Sequence, residues 1–381
     1  MGKNVYFCKM KFRNPIFLLL MASLLFAACG KKVRVEAYSL VPEPVQFLDG
    51  EGSCTLTPRS RLCFVNLAQN SPTAKYITQS LRRMHIHPAL IGTPKKDCIT
   101  FTLLDSLEST LGPEGYRLSV VPEGVFVYAA TEAGLFYGFQ TFLQMLPPDI
   151  ATVRYSRVEL PGCTVTDYPR FPWRGSHLDV SRHFFPVQDI KKHLDLMAMY
   201  KLNRFHWHLT DDQGWRIEID GYPQLNDVGS WRVDRTDVPW GTETPAEIGE
   251  EPAYGGFYSK EDVADIIAYA AERHIEVIPE IELPGHSSAV LAAYPELGCP
   301  GTHYDVAIGE FWPTTAILCA GNDRSVDFLC GVMDEVMQMF PSDYIHIGGD
   351  EVFPSSWGHC PKCQARMREL HLDRASQLQG W

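Results

Sequence analysis

Two adjacent carboxylates, Asp350 and Glu351, close the run His346-Ile347-Gly348-Gly349-Asp350-Glu351-Val352. Residues 344–347 are short, apolar and β-prone, and two glycines break them at once. A strand that ends by delivering acids is how a barrel strand looks at its catalytic rim. Neighbouring carboxylates in different surroundings supply an acid and an anionic partner at one pH. An Asp-Glu pair also suits a helix N-terminus, where acids favour the dipole, so the dipeptide alone decides nothing.

Three upstream segments end in the same way. A strand expected over residues 174–180 delivers Asp179, Ser181, Arg182 and His183. One over 204–209 delivers His206, His208, Asp211 and Asp212, and one over 274–281 delivers Glu280, Glu282 and His286. Four polar strand endings in chain order point to one rim. Asp179 lies within its strand and is expected to orient its neighbours. His206 and His208 share a strand face, with Trp207 on the other, and hydrogen bonds to nearby carboxylates would account for both. A His-x-His strand end is also a metal signature. With His286 and Asp350 it would suit a metal-dependent amidohydrolase, the alternative enzyme class. Arg182 on the same rim opposes a dication.

The elements that must position these residues alternate. Helices are expected over 187–199, from a Ser259 cap to about 272, over 324–340, and around 366–370. Repeated βα units with long βα loops indicate a (β/α)8 TIM-type barrel. Four units fill roughly residues 173–375, and an open half exposes a strand edge, so the expectation is a partial barrel: either the sequence is a fragment or the other four units are supplied elsewhere. The boundary falls near the proline-rich stretch 167–172, dividing a small α/β domain (30–165) from the barrel segment (166–381). Within the first domain, strands over 115–120 and 125–130 flank a Pro122-Glu123-Gly124 turn. Thr131 starts a helix over 132–146, another amphipathic helix covers 74–84, and residues 30–50 read as a polar linker and entry segment.

A formal net charge of -12 argues against nucleic acid and anionic membrane surfaces as partners, and 45% apolar residues are too many for disorder. Lys3, Lys9, Lys11 and Arg13 precede an apolar stretch over 16–28 and then Cys29. This is the pattern of a secretory signal ending at a lipidated cysteine, and the stretch is shorter than the ~20 residues of a spanning helix. A lipid anchor in the cell envelope of a bacterium is therefore expected. Cys54/Cys63 and Cys319/Cys330 have spacings compatible with disulfides. Cys360-Pro361-Lys362-Cys363 has zinc or redox spacing, but no second pair is evident to complete four ligands, so a local disulfide or thiols are expected there.

The four motifs carry a resemblance. Leu178-Asp179-Val180-Ser181-Arg182-His183-Phe184-Phe185-Pro186, the stretch 203–215 with His206-Trp207-His208-Leu209-Thr210-Asp211-Asp212-Gln213-Gly214-Trp215, Glu280-Ile281-Glu282-Leu283-Pro284-Gly285-His286-Ser287 and the 346–352 run resemble glycoside hydrolase family 20. These are the β-N-acetylhexosaminidases, with the bacterial lipoprotein members most similar. The likeness extends from about residue 35 to the end. It implies release of terminal non-reducing N-acetylhexosamine from β-linked GlcNAc- or GalNAc-containing glycans, with retention and with the substrate's own acetamido oxygen as nucleophile. It implies Glu351 as general acid and base, Asp350 as partner of the acetamido N–H, Arg182 as a grip on sugar hydroxyls, and Asp211 and His286 as their support. No metal or organic cofactor is implied. The family's aromatic wall, orienting tyrosine and second sugar-binding acid come from the other half of the barrel and are assigned to no residue here, so this chain alone is expected to be poorly active. The non-enzymatic alternative is a lipid-anchored glycan-binding relative, against which the intact Asp350-Glu351 pair argues.

Overall fold

The computed structural model describes residues 31–247, 249–301, 304–309 and 315–381. The signal segment and Cys29 lie outside the described residues. The chain forms two compact units that divide between Pro169 and Arg170. Among the described residues no helix is long and apolar enough to cross a membrane.

The first unit is a mixed sheet carrying two main helices. Its elements are β1 (Lys31–Arg34), β2 (Gln46–Leu56), β3 (Arg61–Val65), α1 (Pro72–Arg83), β4 (Ala89–Ile91), β5 (Cys98–Leu103), β6 (Tyr116–Val121), β7 (Gly124–Ala129), α2 (Glu132–Gln144) and β8 (Tyr155–Asp167). The sheet order is β1-β8-β6-β7-β5-β3-β4, with β2 also on β8. The β6–β7 hairpin forms where alternation predicts it: Tyr116, Leu118 and Val120 are buried, as are Val125, Val127 and Ala129. The Thr131 side chain caps α2 by accepting from the Gly134 N–H. That helix buries Leu135, Phe136, Phe139 and Phe142. Gly138 lets it sit close to the sheet, since a Cβ there would lie 2.5 Å from Val127 Cγ1.

The entry segment departs from expectation. It is not simply a linker: β1 pairs in parallel with β8, and β2 starts at Gln46 and pairs antiparallel with it. Residues 46–52 are exposed and the register slips between Asp49 and Ser53, so no hydrophobic alternation marks the start of β2.

The second unit is built on three parallel strands, β9 (Gly175–Asp179), β10 (Arg204–His208) and β11 (Glu276–Glu280), in the order β9-β10-β11. After β9 comes α3 (Val187–Met199), which buries Ile190, Leu194 and Met197. A long excursion over residues 209–259 precedes α4 (Lys260–Ala271). Ser259 and Asp262 form a reciprocal capping box at its start. Beyond β11 lie α5 (Ser288–Ala293) and α6 (Asp323–Met339), then α7 (Ser355–His359) and α8 (Pro361–Glu369). Trp207 points away from His206 and His208 and packs with Tyr258 and Phe340.

The fourth strand is reduced from what the sequence suggests. Residues 344–347 run beside β11, with His346 N–H donating to Pro279 and Ile281 N–H to His346. Only a single parallel bridge, Glu280 to His346, forms. The run is short, and Gly348 and Gly349 follow with φ of +58° and +95°, which ends extended backbone at once.

Register puts one row of side chains across the strand ends. Asp179 is opposite His208, His208 opposite Glu280, and Glu280 opposite His346. A buried guanidinium fixes the loops above this row. Arg216 donates to the carbonyls of Ser230, Gly256, Ser181 and Gln213 at 2.6–3.1 Å. One side chain thereby ties together carbonyls from four points along the loops.

Candidate active site

Asp211 is the hub of the site. Its side chain is 1% exposed. Oδ2 lies 2.8 Å from Arg182 Nη1 and 2.9 Å from His208 Nε2, and Oδ1 lies 3.2 Å from His286 Nδ1. Burial alone would raise its pKa, but hydrogen bonds from His208 and His286 and the charge of Arg182 hold it well below the usual carboxylate range.

Arg182 is oriented from two sides. Asp179 Oδ1 accepts the backbone N–H groups of Ser181 and Arg182, and its Oδ2 meets Arg182 Nη1 at 3.1 Å. This is the orienting arrangement expected for Asp179. The guanidinium stays about one-third exposed, so it can reach a ligand.

His286 links the hub to the acids. Its Nδ1 is 3.2 Å from Asp211 and 3.1 Å from Asp212. Those bonds outweigh burial and push the imidazole up to about 11. On the other edge, Nε2 has no hydrogen-bond partner. It lies 3.5 Å from Glu351 Oε2 and 3.9 Å from Asp350 Oδ2. An unsatisfied N–H thus faces both carboxylates. Glu351 and Asp350 are about half and two-thirds exposed.

Backbone strain concentrates here. Glu351 and His286 have φ of +49° and +46°, a conformation costing a non-glycine residue about 1 kcal/mol or more. Gly348 is required by close approach, since a Cβ there would lie 1.9 Å from Glu282 Oε2. Glu282 itself is buried, and burial followed by the charges of Asp350 and Asp211 pushes it up to about 8. Its surroundings thus favour the protonated form beside the acid pair.

The predicted site residues Arg182, Asp211, His286, Asp350 and Glu351 thus come together on one rim. His206 and His208 are not free ligands. His206 Nε2 lies 2.6 Å and His208 Nδ1 2.5 Å from Glu280 Oε2. His346 Nδ1 meets Glu280 Oε1 at 2.7 Å. Burial would lower His208, but Asp211 and Glu280 raise it to about 10. Both His208 nitrogens are engaged, Arg182 Nη1 lies 3.1 Å from one of them, and His286 is turned to two aspartates.

Asp212 and Glu282 read in the sequence as strand-end residues without a role of their own, and His177 is not singled out. Asp212 accepts from Ser288 N–H and Oγ–H and helps hold His286; its adjacency to Asp211 was the available signal. Glu282 alternates with Glu280 at the strand end. His177, two residues before Asp179, packs its ring 4.7 Å from His206.

The cysteines also depart from expectation. Cys54 and Cys63 are both unbridged, and Cys330 is exposed while Cys319 is buried, so neither suggested disulfide forms. Cys360 and Cys363 do have a second pair: Cys299 and Cys319 converge on them. Their separation in sequence, 41 residues for Cys319–Cys360 and 64 for Cys299–Cys363, hid it.

Comparison with known proteins agrees with this architecture. The catalytic-domain profile of glycosyl hydrolase family 20 matches residues 171–381, and the profile of that family's domain 2 matches residues 37–168. A β-hexosaminidase of Porphyromonas gingivalis is 39% identical over 362 residues, covering 92% of this chain and 44% of that protein. One from Vibrio furnissii is 37% identical, covering 90% and 53%. The crystal structure of a Vibrio harveyi exo-β-N-acetylglucosaminidase in complex with N-acetylglucosamine superposes with a TM-score of 0.76 at 31% identity, over 91% of this chain and 53% of that one. The Bacteroides fragilis β-N-acetylhexosaminidase gives 0.72 at 35%, over 90% and 62%. The chain spans about half the length of the curated relatives it matches. An N-terminal α/β domain followed by TIM-type barrel units, with both profiles matched in order, makes this chain a member of glycosyl hydrolase family 20.

Proposed function

We propose that the protein is a β-N-acetylhexosaminidase, releasing terminal non-reducing N-acetyl-D-hexosamine from β-linked glycosides with retention. The observation that carries this is the Asp211–His286–Glu351 arrangement beside an adjacent second carboxylate, Asp350. Glu351 protonates the glycosidic oxygen as its bond to C1 breaks. The substrate's acetamido oxygen forms the new bond to C1, giving a cyclic oxazolinium and needing no protein nucleophile. Asp350 accepts the acetamido N–H and offsets the developing positive charge. Water then attacks C1 and gives its proton to Glu351, while the C1–O bond of the oxazolinium breaks and the acetamido group is restored. Arg182, anchored by Asp179 and Asp211, binds hydroxyls of the terminal sugar as a multi-donor group. The relatives named β-hexosaminidase and the neighbour holding N-acetylglucosamine support the substrate class.

The test is leaving-group dependence in the full-length protein. With aryl N-acetyl-β-glucosaminides of poor leaving ability, Glu351→Gln should lose about 10²–10⁴ in kcat, and less with activated leaving groups. A thiazoline analogue of the intermediate should bind wild type far better than Asp350→Asn. Rates close to wild type in Glu351→Gln across the whole series would remove the mechanism.

We infer further that the enzyme is exported and held in the cell envelope by lipid on Cys29. The cationic 3–13 segment, the apolar 16–28 stretch and the cysteine that follows support this. Radiolabelled fatty acid should enter the wild-type protein and not Cys29→Ala; equal labelling of both would refute it.

A further inference from the structure

We propose that Cys299, Cys319, Cys360 and Cys363 bind one structural zinc ion, through four thiolates, in the second unit. All four sulfurs lie within 4.8 Å of one another and all four residues are buried. The measured separations are 3.6 Å for Cys319–Cys363, 3.7 Å for Cys319–Cys360 and 4.0 Å for Cys299–Cys363. Four sulfurs tetrahedrally placed about 2.3 Å from a zinc ion stand about 3.8 Å apart. A disulfide brings two sulfurs to about 2.05 Å. The cluster has the spacing of the first arrangement and not of the second.

The surroundings fit a closed site. Ile317, Trp357, Met367 and Leu378 pack around the sulfurs, so solvent is kept from the fourth position, as in structural rather than catalytic zinc sites. Cys360 and Cys363 come from a Cys-x-x-Cys turn entering α8, the local half of many zinc sites. Gly321 must be glycine, because a Cβ there would lie 2.3 Å from Cys363 N. Binding replaces water on the aqueous ion with four Zn–S bonds, and the protons of the thiols pass to solvent.

The site would tie together three stretches distant in sequence, ending next to the acid pair. Val352, which follows Glu351, packs against the same cluster. The Trp357 indole N–H donates to the Leu318 carbonyl. Zinc here would brace the turn that carries Asp350 and Glu351 without touching substrate.

The experiment is metal analysis of the full-length protein purified without chelator, joined to intact-mass measurement under denaturing conditions. The expected result is one zinc per chain, four cysteines alkylated only after the metal is removed, and X-ray absorption fitting four sulfurs at about 2.3 Å. Cobalt reconstitution should give the visible bands of a tetrahedral tetrathiolate. Cys363→Ser should lose the metal, and Cys330→Ser, at an exposed cysteine outside the cluster, should keep it. Because export favours disulfides, a protein four hydrogens lighter with no metal would overturn the proposal. So would iron in place of zinc, or folded wild type that stays metal-free after zinc reconstitution. These measurements need no catalytic activity and are decided on wild type even if a cysteine variant fails to fold.

Discussion

The two units share a layered α/β construction and differ in what they bury. The first fills its interior with aromatic and aliphatic groups, among them Phe101, Phe136, Phe139 and Phe142. Among its described residues Asp167 is the one buried carboxylate, bonded to the Tyr116 hydroxyl. The second buries Asp211, Asp212, Glu280, Glu282, His208, His286, Arg216 and Arg232. Hydrophobic burial suffices to assemble the first. The second places charges in a low-dielectric interior, where they are costly unless paired and strongly perturbed when they are. A core made of charges is expected where pKa values must be tuned.

The largest test of this contrast is Asp211→Ala. It leaves Arg182, His208 and His286 without their shared anion and should cost the second unit roughly 3–5 kcal/mol. Protection from hydrogen exchange should fall in peptides around 204–216 and 280–290 and hold in peptides of the first unit. Equal loss in both units would break the comparison.

Phe139→Ala is its counterpart. Deleting a fully buried ring should cost the first unit about 3 kcal/mol. The loss should be the same at pH 5 and pH 8, because no charge is exposed. A pH-dependent loss, followed by urea denaturation, would contradict the reading of that core.

Stability of the second unit should depend on pH from both directions. Glu282 is raised from 4.5 to about 8. Its contribution is fully present below about pH 4.5 and is lost as pH rises through about 8. Asp211 is lowered from 3.8, so its contribution is present above that value and is lost in stronger acid. Glu282→Gln, which mimics the protonated form, should flatten the decline between pH 4.5 and 8. An unchanged profile in thermal melts would show that Glu282 is not held protonated.

The smallest effect concerns caps. Ser259→Ala should cost about 1 kcal/mol, and Thr131→Ala about the same. Each loss should appear in its own unit, which site-resolved exchange can separate. An effect of either below about 0.3 kcal/mol would mean that tertiary packing, not the cap, sets the helix start.

Much of this was legible in the chain. Alternation marked the β6–β7 hairpin, and Ser259 and Thr131 marked two helix starts. Polar residues closing successive apolar strands marked the rim, and the resemblance to the family singled out Arg182, Asp211, His286, Asp350 and Glu351 on it. What escaped depends on contacts remote in sequence. The start of β2 is exposed and bulged, so its partner β8, more than a hundred residues away, is what makes it a strand. Residues 344–347 look like a full strand because propensity is local, whereas a ladder needs neighbours and uninterrupted extended backbone. Cys299 and Cys319 have no motif of their own and acquire meaning only when folding brings them to Cys360 and Cys363.

Asp211 touches both Arg182, which is open to a ligand, and His286, which faces the acid pair. A single buried anion thus serves two neighbours whose demands on it compete. Any ligand that draws Arg182 away leaves more of that anion's field for His286 and raises its hold on a proton. Reciprocity then requires that the same proton change the affinity of that ligand by the same factor. Ligand affinity should therefore drift with pH as the pH nears about 11, where His286 gives up its proton, with occupancy and acidity acting as two readings of one thermodynamic variable.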